Sequence, residues 1–166
     1  MVSLLLDAML SKLGRWLRLL GCDVEIVDSK VSDSKILEIA RESGRIFITR
    51  DKKLFERAVS AGLKSVLVLS DDLPSILNRL SKMFNFNLSF NPDKSRCPSC
   101  NTPVLKVRRP PDYSSIPRKV LASKNCFWIC PNCGKVYWIG SHYFSILRVL
   151  DKAKSSSPCS VEKNIS

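Results

Sequence analysis

Over the first 90 residues, short apolar runs alternate with stretches of helical periodicity, and this alternation restricts the fold more than any other feature. Residues 2–6 form an apolar run ending at Asp7, the pattern of a buried strand. From there Met9, Leu10, Leu13, Trp16, Leu17 and Leu20 follow one helical face, and Gly21 stands where a helix C-cap is wanted. A second strand is expected at 24–27, ending at Asp28. Ser32 or Asp33 then caps a second helix bearing Ile36, Leu37 and Ala40, which Gly44 stops. The same reading puts strands at 45–49, 65–69 and 86–90, a helix at about 52–61, and a helix opened by residues 70–74. Such alternation predicts an α/β fold, a doubly wound parallel sheet with helices on both faces.

Residues 91–95 read as a linker, after which cysteines and prolines replace the alternation. Cys97-Pro98-Ser99-Cys100 and Cys130-Pro131-Asn132-Cys133 are two C-P-x-C knuckles separated by 29 residues. Each offers two thiolates on a tight turn, and four thiolates close a tetrahedral structural zinc site. The gap exceeds the usual spacing, so a loop or extra hairpin containing Pro110-Pro111 must be accommodated. Thiol redox chemistry is the rival for one C-x-x-C; two matched knuckles argue against it. Cys22 fits a core position, Cys126 a spare thiol or a strand neighbour, and Cys159 lies in the tail. The expected organisation is an α/β domain over 1–92, a zinc ribbon over 93–151 and a disordered basic tail over 152–166.

No run approaches the roughly 18 apolar residues of a membrane span. The start does not read as a signal peptide, since Asp7 interrupts a short apolar run with no basic residue before it. A cytoplasmic location is expected, where cysteines serve as metal ligands or free thiols. The net charge is +12. Residues 93–166 hold thirteen basic and four acidic side chains, a bias that points to a polyanionic partner, nucleic acid before membrane.

In open parallel sheets ligands bind beyond the C-terminal strand ends. Asp7, Asp28, Asp51 and Asp71-Asp72 fall at that edge, and Asp33 reaches the same rim. Crowded carboxylates suit a hard divalent cation such as Mg²⁺ or Mn²⁺, which can activate water against a phosphodiester. Helix capping competes at each position, above all at Asp33 and Asp72. No Gly-rich phosphate loop with Lys-Ser/Thr is present. Lys12, Arg15 and Arg18 recur along the polar side of the first helix, placed to hold a nucleic-acid backbone or simply to be solvated. Arg108, Arg109, Arg118, Lys119, Lys124 and Lys135 interleave with Tyr113, Phe127, Trp128, Tyr137 and Trp138, the ingredients of single-strand binding. His142, the lone histidine, fits a phosphate contact, a general acid/base or a packed surface residue.

Residues 7–21, the Thr49-Arg50-Asp51-Lys52-Lys53-Leu54 segment, both knuckles, and the run from Cys130 to His142 together resemble the Mut-seven-C-type ribonuclease domain. The resemblance covers about residues 1–150 and implies a PIN-like nuclease fold followed by a zinc ribbon. It implies an acidic cluster containing Asp7 and Asp51. Asp33 or Glu38 would be the third member, and Asp71 or Asp72 the fourth. The function so implied is a Mg²⁺- or Mn²⁺-dependent endoribonuclease with Arg15 as a phosphate contact, acting on single-stranded or structured cellular RNA. A ribosome or RNA-processing partner is also expected; the rival readings are a non-catalytic RNA- or ribosome-binding module and the toxin half of a toxin–antitoxin pair.

Overall fold

A computed structural model of the protein describes residues 2–111, 114, 116–157 and 161–164. Four of the expected strands form: β1 (Ser3–Leu6), β2 (Asp23–Ile26), β3 (Ile46–Thr49) and β4 (Ser65–Val68). Between and after them run α1 (Ser11–Leu19), α2 (Asp33–Ser43), α3 (Lys52–Ser60) and α4 (Leu73–Phe84). The four strands pair in parallel in the order β2-β1-β3-β4. Side chains alternate across the pleat, so one strand feeds two cores. Leu4 and Leu6 pack with α1 and α4, whereas Leu5 and Phe47 pack with α2 and α3. Helix α1 lies close on the sheet because Gly14 lacks a Cβ, which would otherwise stand 2.7 Å from Ile26 Cδ1.

The ribbon holds β5 (Leu105–Val107), β6 (Phe127–Ile129) and β7 (Val136–Tyr137) as an antiparallel sheet. A short helix, α5 (Arg118–Ser123), occupies part of the long gap between the knuckles. Its core is Val104, Trp128 and the cysteines themselves.

Two expectations from the sequence change. Residues 86–90 make no strand: Phe86, Leu88 and Phe90 turn inward onto the core, but their backbone pairs with no strand among the described residues. The tail from 152 onward is also not simply disordered. Helix α6 (Ser141–Ser155) runs through Lys152 and buries Leu150 and Ala153 against α4. Asn78 Nδ2 donates to the Ala153 carbonyl at 2.7 Å. Strand β8 (Val161–Asn164) then joins the large sheet antiparallel to β4. Backbone pairing to an open sheet edge requires no apolar sequence, so composition could not announce it. The ribbon is therefore set between α4 and α6, and the chain returns to the sheet after it. Tyr113 and Cys159 lie outside the described residues.

Candidate functional site

The C-terminal edge of the sheet is organised around Thr49. Asp7, only 6% exposed, follows β1 and caps a single 3₁₀ turn by accepting from the Leu10 N–H at 3.2 Å. Its second oxygen accepts from the Arg50 N–H at 3.2 Å and from the Thr49 hydroxyl. Thr49 Oγ1 in turn accepts from the Asp51 N–H at 2.9 Å. One buried hydroxyl thus joins Asp7 to the backbone of Asp51. Asp51 caps α3 through the Leu54 N–H at 3.0 Å and is otherwise exposed.

Of the other carboxylates, Asp71, Asp33 and Glu38 pair with basic side chains, while Asp72 and Asp28 accept from neighbouring residues of their own segments. Arg50 pairs with the exposed Asp71 at 2.5 Å; this contact lowers the Asp71 carboxyl and raises the guanidinium, to whose charge Asp7 also contributes. Asp72 caps α4, bonding the Ser75 N–H at 3.0 Å and the Ser75 hydroxyl. Asp33 pairs with Arg57 at 2.8 Å, and Arg57 stands six residues, about 9 Å of helix, beyond Asp51. Glu38 pairs with Lys35 on its own helix at 2.9 Å, and Asp28 accepts from the Lys30 N–H. Among the described residues, no three carboxylates bring their oxygens within 4.8 Å of one another.

The four knuckle cysteines do gather. The sulfurs of Cys97, Cys100, Cys130 and Cys133 all lie within 4.8 Å of one another. Cys100 to Cys130 is 3.3 Å and Cys97 to Cys133 is 3.6 Å. Four thiolates on a zinc ion at roughly 2.3 Å stand about 3.8 Å apart, so this set fits the ion with small adjustment. Tyr137 Oη lies 3.1 Å from Cys97 Sγ; burial and that thiol raise the phenol, which keeps its proton to donate to the sulfur. Thr102 holds the Cys100 thiol at about 5, while burial pushes Cys130 up to about 12.

The first knuckle is bolted to the sheet. Arg18 is 6% exposed; its Nε donates to the Val24 carbonyl at 2.9 Å, and Nη1 to the carbonyls of Pro98 at 2.9 Å and Ser99 at 3.2 Å. Asn101 accepts from the Val24 N–H at 3.0 Å and donates to Asp23 at 2.6 Å. Arg18 is therefore not the solvent-facing RNA contact that its spacing with Lys12 and Arg15 suggested: α1 turns it inward to meet carbonyls 80 residues away. Lys12, Arg15, Arg108, Arg109 and His142 are exposed. Lys135 is exposed as well, with its ammonium donating to Ser99 Oγ at 2.7 Å. Sequence reasoning missed Arg50 and Arg57 as carboxylate partners; only Arg50 carried a signal, by standing inside the Thr49-Arg50-Asp51 segment.

Comparison with curated proteins and comparison with solved structures each find no match. A family model described as the Mut7-C RNAse domain matches residues 2–150. That span takes in β1 and Asp7, the Thr49 edge, both cysteine knuckles and most of α6. The chain belongs to the Mut7-C RNAse domain family.

Proposed function

We propose that this protein is a Mg²⁺- or Mn²⁺-dependent endoribonuclease whose centre is Asp7 and Asp51, with Asp71 and Asp33 flanking, and whose zinc ribbon helps to hold RNA. The observation that carries the reading is the Thr49 hydroxyl that joins the Asp7 carboxylate to the backbone N–H of Asp51 at the C-terminal sheet edge. A carboxylate offers about four lone-pair sites. Asp7 uses three on protein donors and Asp51 one, which leaves hard oxygen donors of the kind these cations take. A divalent ion there would supply an acidified water and charge neutralisation on the phosphate. The chain's own part is positional. Thr49 and the Arg50 N–H orient Asp7, and Arg50 sets a cation between Asp7 and Asp71 where phosphate charge would come. Lys12 and Arg15, exposed on α1, hold the RNA backbone beside the edge. Zinc on the four cysteines is structural.

A second reading, a non-catalytic RNA- or ribosome-binding module, draws on the pairing of each flanking carboxylate with an arginine. No helix among the described residues is long and apolar enough to cross a membrane. A cytoplasmic site of action belongs to both readings. Cleavage of several RNAs with and without Mn²⁺ separates them. Metal-dependent cleavage lost by orders of magnitude in Asp7→Asn and Asp51→Asn is expected. Asn caps about as well as Asp, so Asp51→Asn keeps its fold. Metal-independent or wild-type-like cleavage by both variants removes the proposed centre.

A further inference from the structure

A cleft of about 490 Å³ lies between the ribbon and α6, away from the acidic edge; Leu19, Phe90, Trp128, Trp138, His142 and Tyr143 are among its walls. Its size falls in the range of roughly 300–1,000 Å³ typical of small-ligand pockets. Two of its features point to a flat, hydrogen-bonding guest. Trp128 is fixed by the protein, 5% exposed with its indole N–H on Asp93 at 2.7 Å. Trp138 is half-buried, and its indole N–H has no acceptor among the described residues. Gly140 keeps room beside that N–H, since a Cβ there would come within 3.3 Å of it. Tyr143, also on the cleft wall, is half-buried and tilted 48° against Phe90, with 5.6 Å between ring centroids.

Charge and helix geometry say which flat guest fits. The ribbon half of the chain is strongly basic, thirteen cations against four carboxylates over residues 93–166. Leu19, which lines the cleft, shares one face of α1 with Arg15 and Lys12, four and seven residues earlier, both exposed. That face leads back to Asp7. We propose that the cleft takes one unpaired base of a single-stranded RNA, stacked on Trp138 and Tyr143, while the strand runs along α1 over Arg15 and Lys12 to the acidic edge. This rests on RNA being the ligand, as proposed above, and adds where and how it is held. Helix α1 has nine residues, about 14 Å of rise. The 3₁₀ turn Ala8–Leu10 adds to that span before Asp7 is reached, so the held base lies several nucleotides from the phosphate at Asp7.

The test uses the full zinc-loaded chain without Mg²⁺ or Mn²⁺, and a short fluorescein-labelled single-stranded oligoribonucleotide read by anisotropy. Trp138→Ala and Tyr143→Ala are each expected to weaken binding about 5- to 150-fold, the effect of losing one stacked base, with Trp138→Phe recovering the stacking part of the loss but not the indole hydrogen bond. The same RNA as a duplex should bind more weakly, and equally to wild type and variants. Tryptophan fluorescence of the wild type, quenched on titration with the single strand, checks the contact should an alanine variant not fold; absence of quenching overturns the proposal. So does wild-type affinity in both alanine variants, or duplex binding as tight as single-strand binding. Cleavage is read separately after Mn²⁺ addition. Trp138-dependent binding without wild-type cleavage refutes the nuclease reading and upholds the cleft. Cleavage with unimpaired binding by Trp138→Ala refutes the cleft alone.

Discussion

Arg18→Met tests whether the first zinc knuckle is held by the sheet. Methionine keeps the length of the stem along α1 but removes donors to three carbonyls, Val24, Pro98 and Ser99. Hydrogen bonds from a charged donor contribute about 1.5–3 kcal/mol each, and a buried acceptor left alone keeps its desolvation cost. The Val24 bond is buried, while those to the knuckle are partly buried and count for about half. Relief from burying the guanidinium offsets some of the loss, leaving about 3 kcal/mol. For a chain of this length that lowers Tm by about 6–12 °C. Because Pro98 and Ser99 lie between Cys97 and Cys100, zinc should also leave faster to a chelator. Arg18→Lys should recover little, since one ammonium cannot span the carbonyls a guanidinium reaches. Thermal melts and a colorimetric zinc-release assay read both effects. A Tm within about 1 °C of wild type with unchanged zinc release refutes the latch. Weakened RNA binding with no stability change would return Arg18 to the RNA surface.

Elemental analysis of protein purified without added metal should find about one zinc per chain, and Cys130→Ser should lose it and loosen the sheet edge at β2 as well as the ribbon. RNA affinity should fall with salt at a log–log slope of about −0.7 per phosphate neutralised, and Arg108→Ala with Arg109→Ala should flatten the slope by about 1.4; an unchanged slope moves binding elsewhere. Burial raises the Asp23 carboxyl, but hydrogen bonds from Arg45 and Asn101 outweigh it and leave the group below its ordinary value. A depressed carboxylate stabilises the fold fully above the unfolded value of about 4 and loses that contribution as pH falls through the folded value. Urea titrations from pH 7 downward should therefore show a wild-type advantage over Asp23→Asn that is constant near neutrality and shrinks in acid; a gap independent of pH would refute it.

Local sequence determined a good deal of this molecule. The apolar runs and helical spacings specified β1 to β4 and α1 to α4, because period-2 and period-3.6 burial are properties of neighbouring residues. The two knuckles likewise announced the four candidate zinc ligands, since each C-P-x-C turn presents two sulfurs locally, but the contacts between the knuckles were left to tertiary structure. Tertiary structure decided what long-range pairing controls. Phe86, Leu88 and Phe90 have the alternation of a strand but pair with no strand among the described residues, whereas β8 finds one in a segment whose composition promised nothing. Arg18 looks the same as Arg15 on a helical wheel. Only the arrival of Pro98 and Ser99 beneath α1 makes one a buried latch and leaves the other in solvent. The acidic edge shows the same division. Strand ends put Asp7 and Asp51 at one rim, but Thr49 between them and Arg50 and Arg57 beside their neighbours decide what each carboxylate bonds, because side-chain partners across a sheet edge come from segments that sequence spacing does not relate.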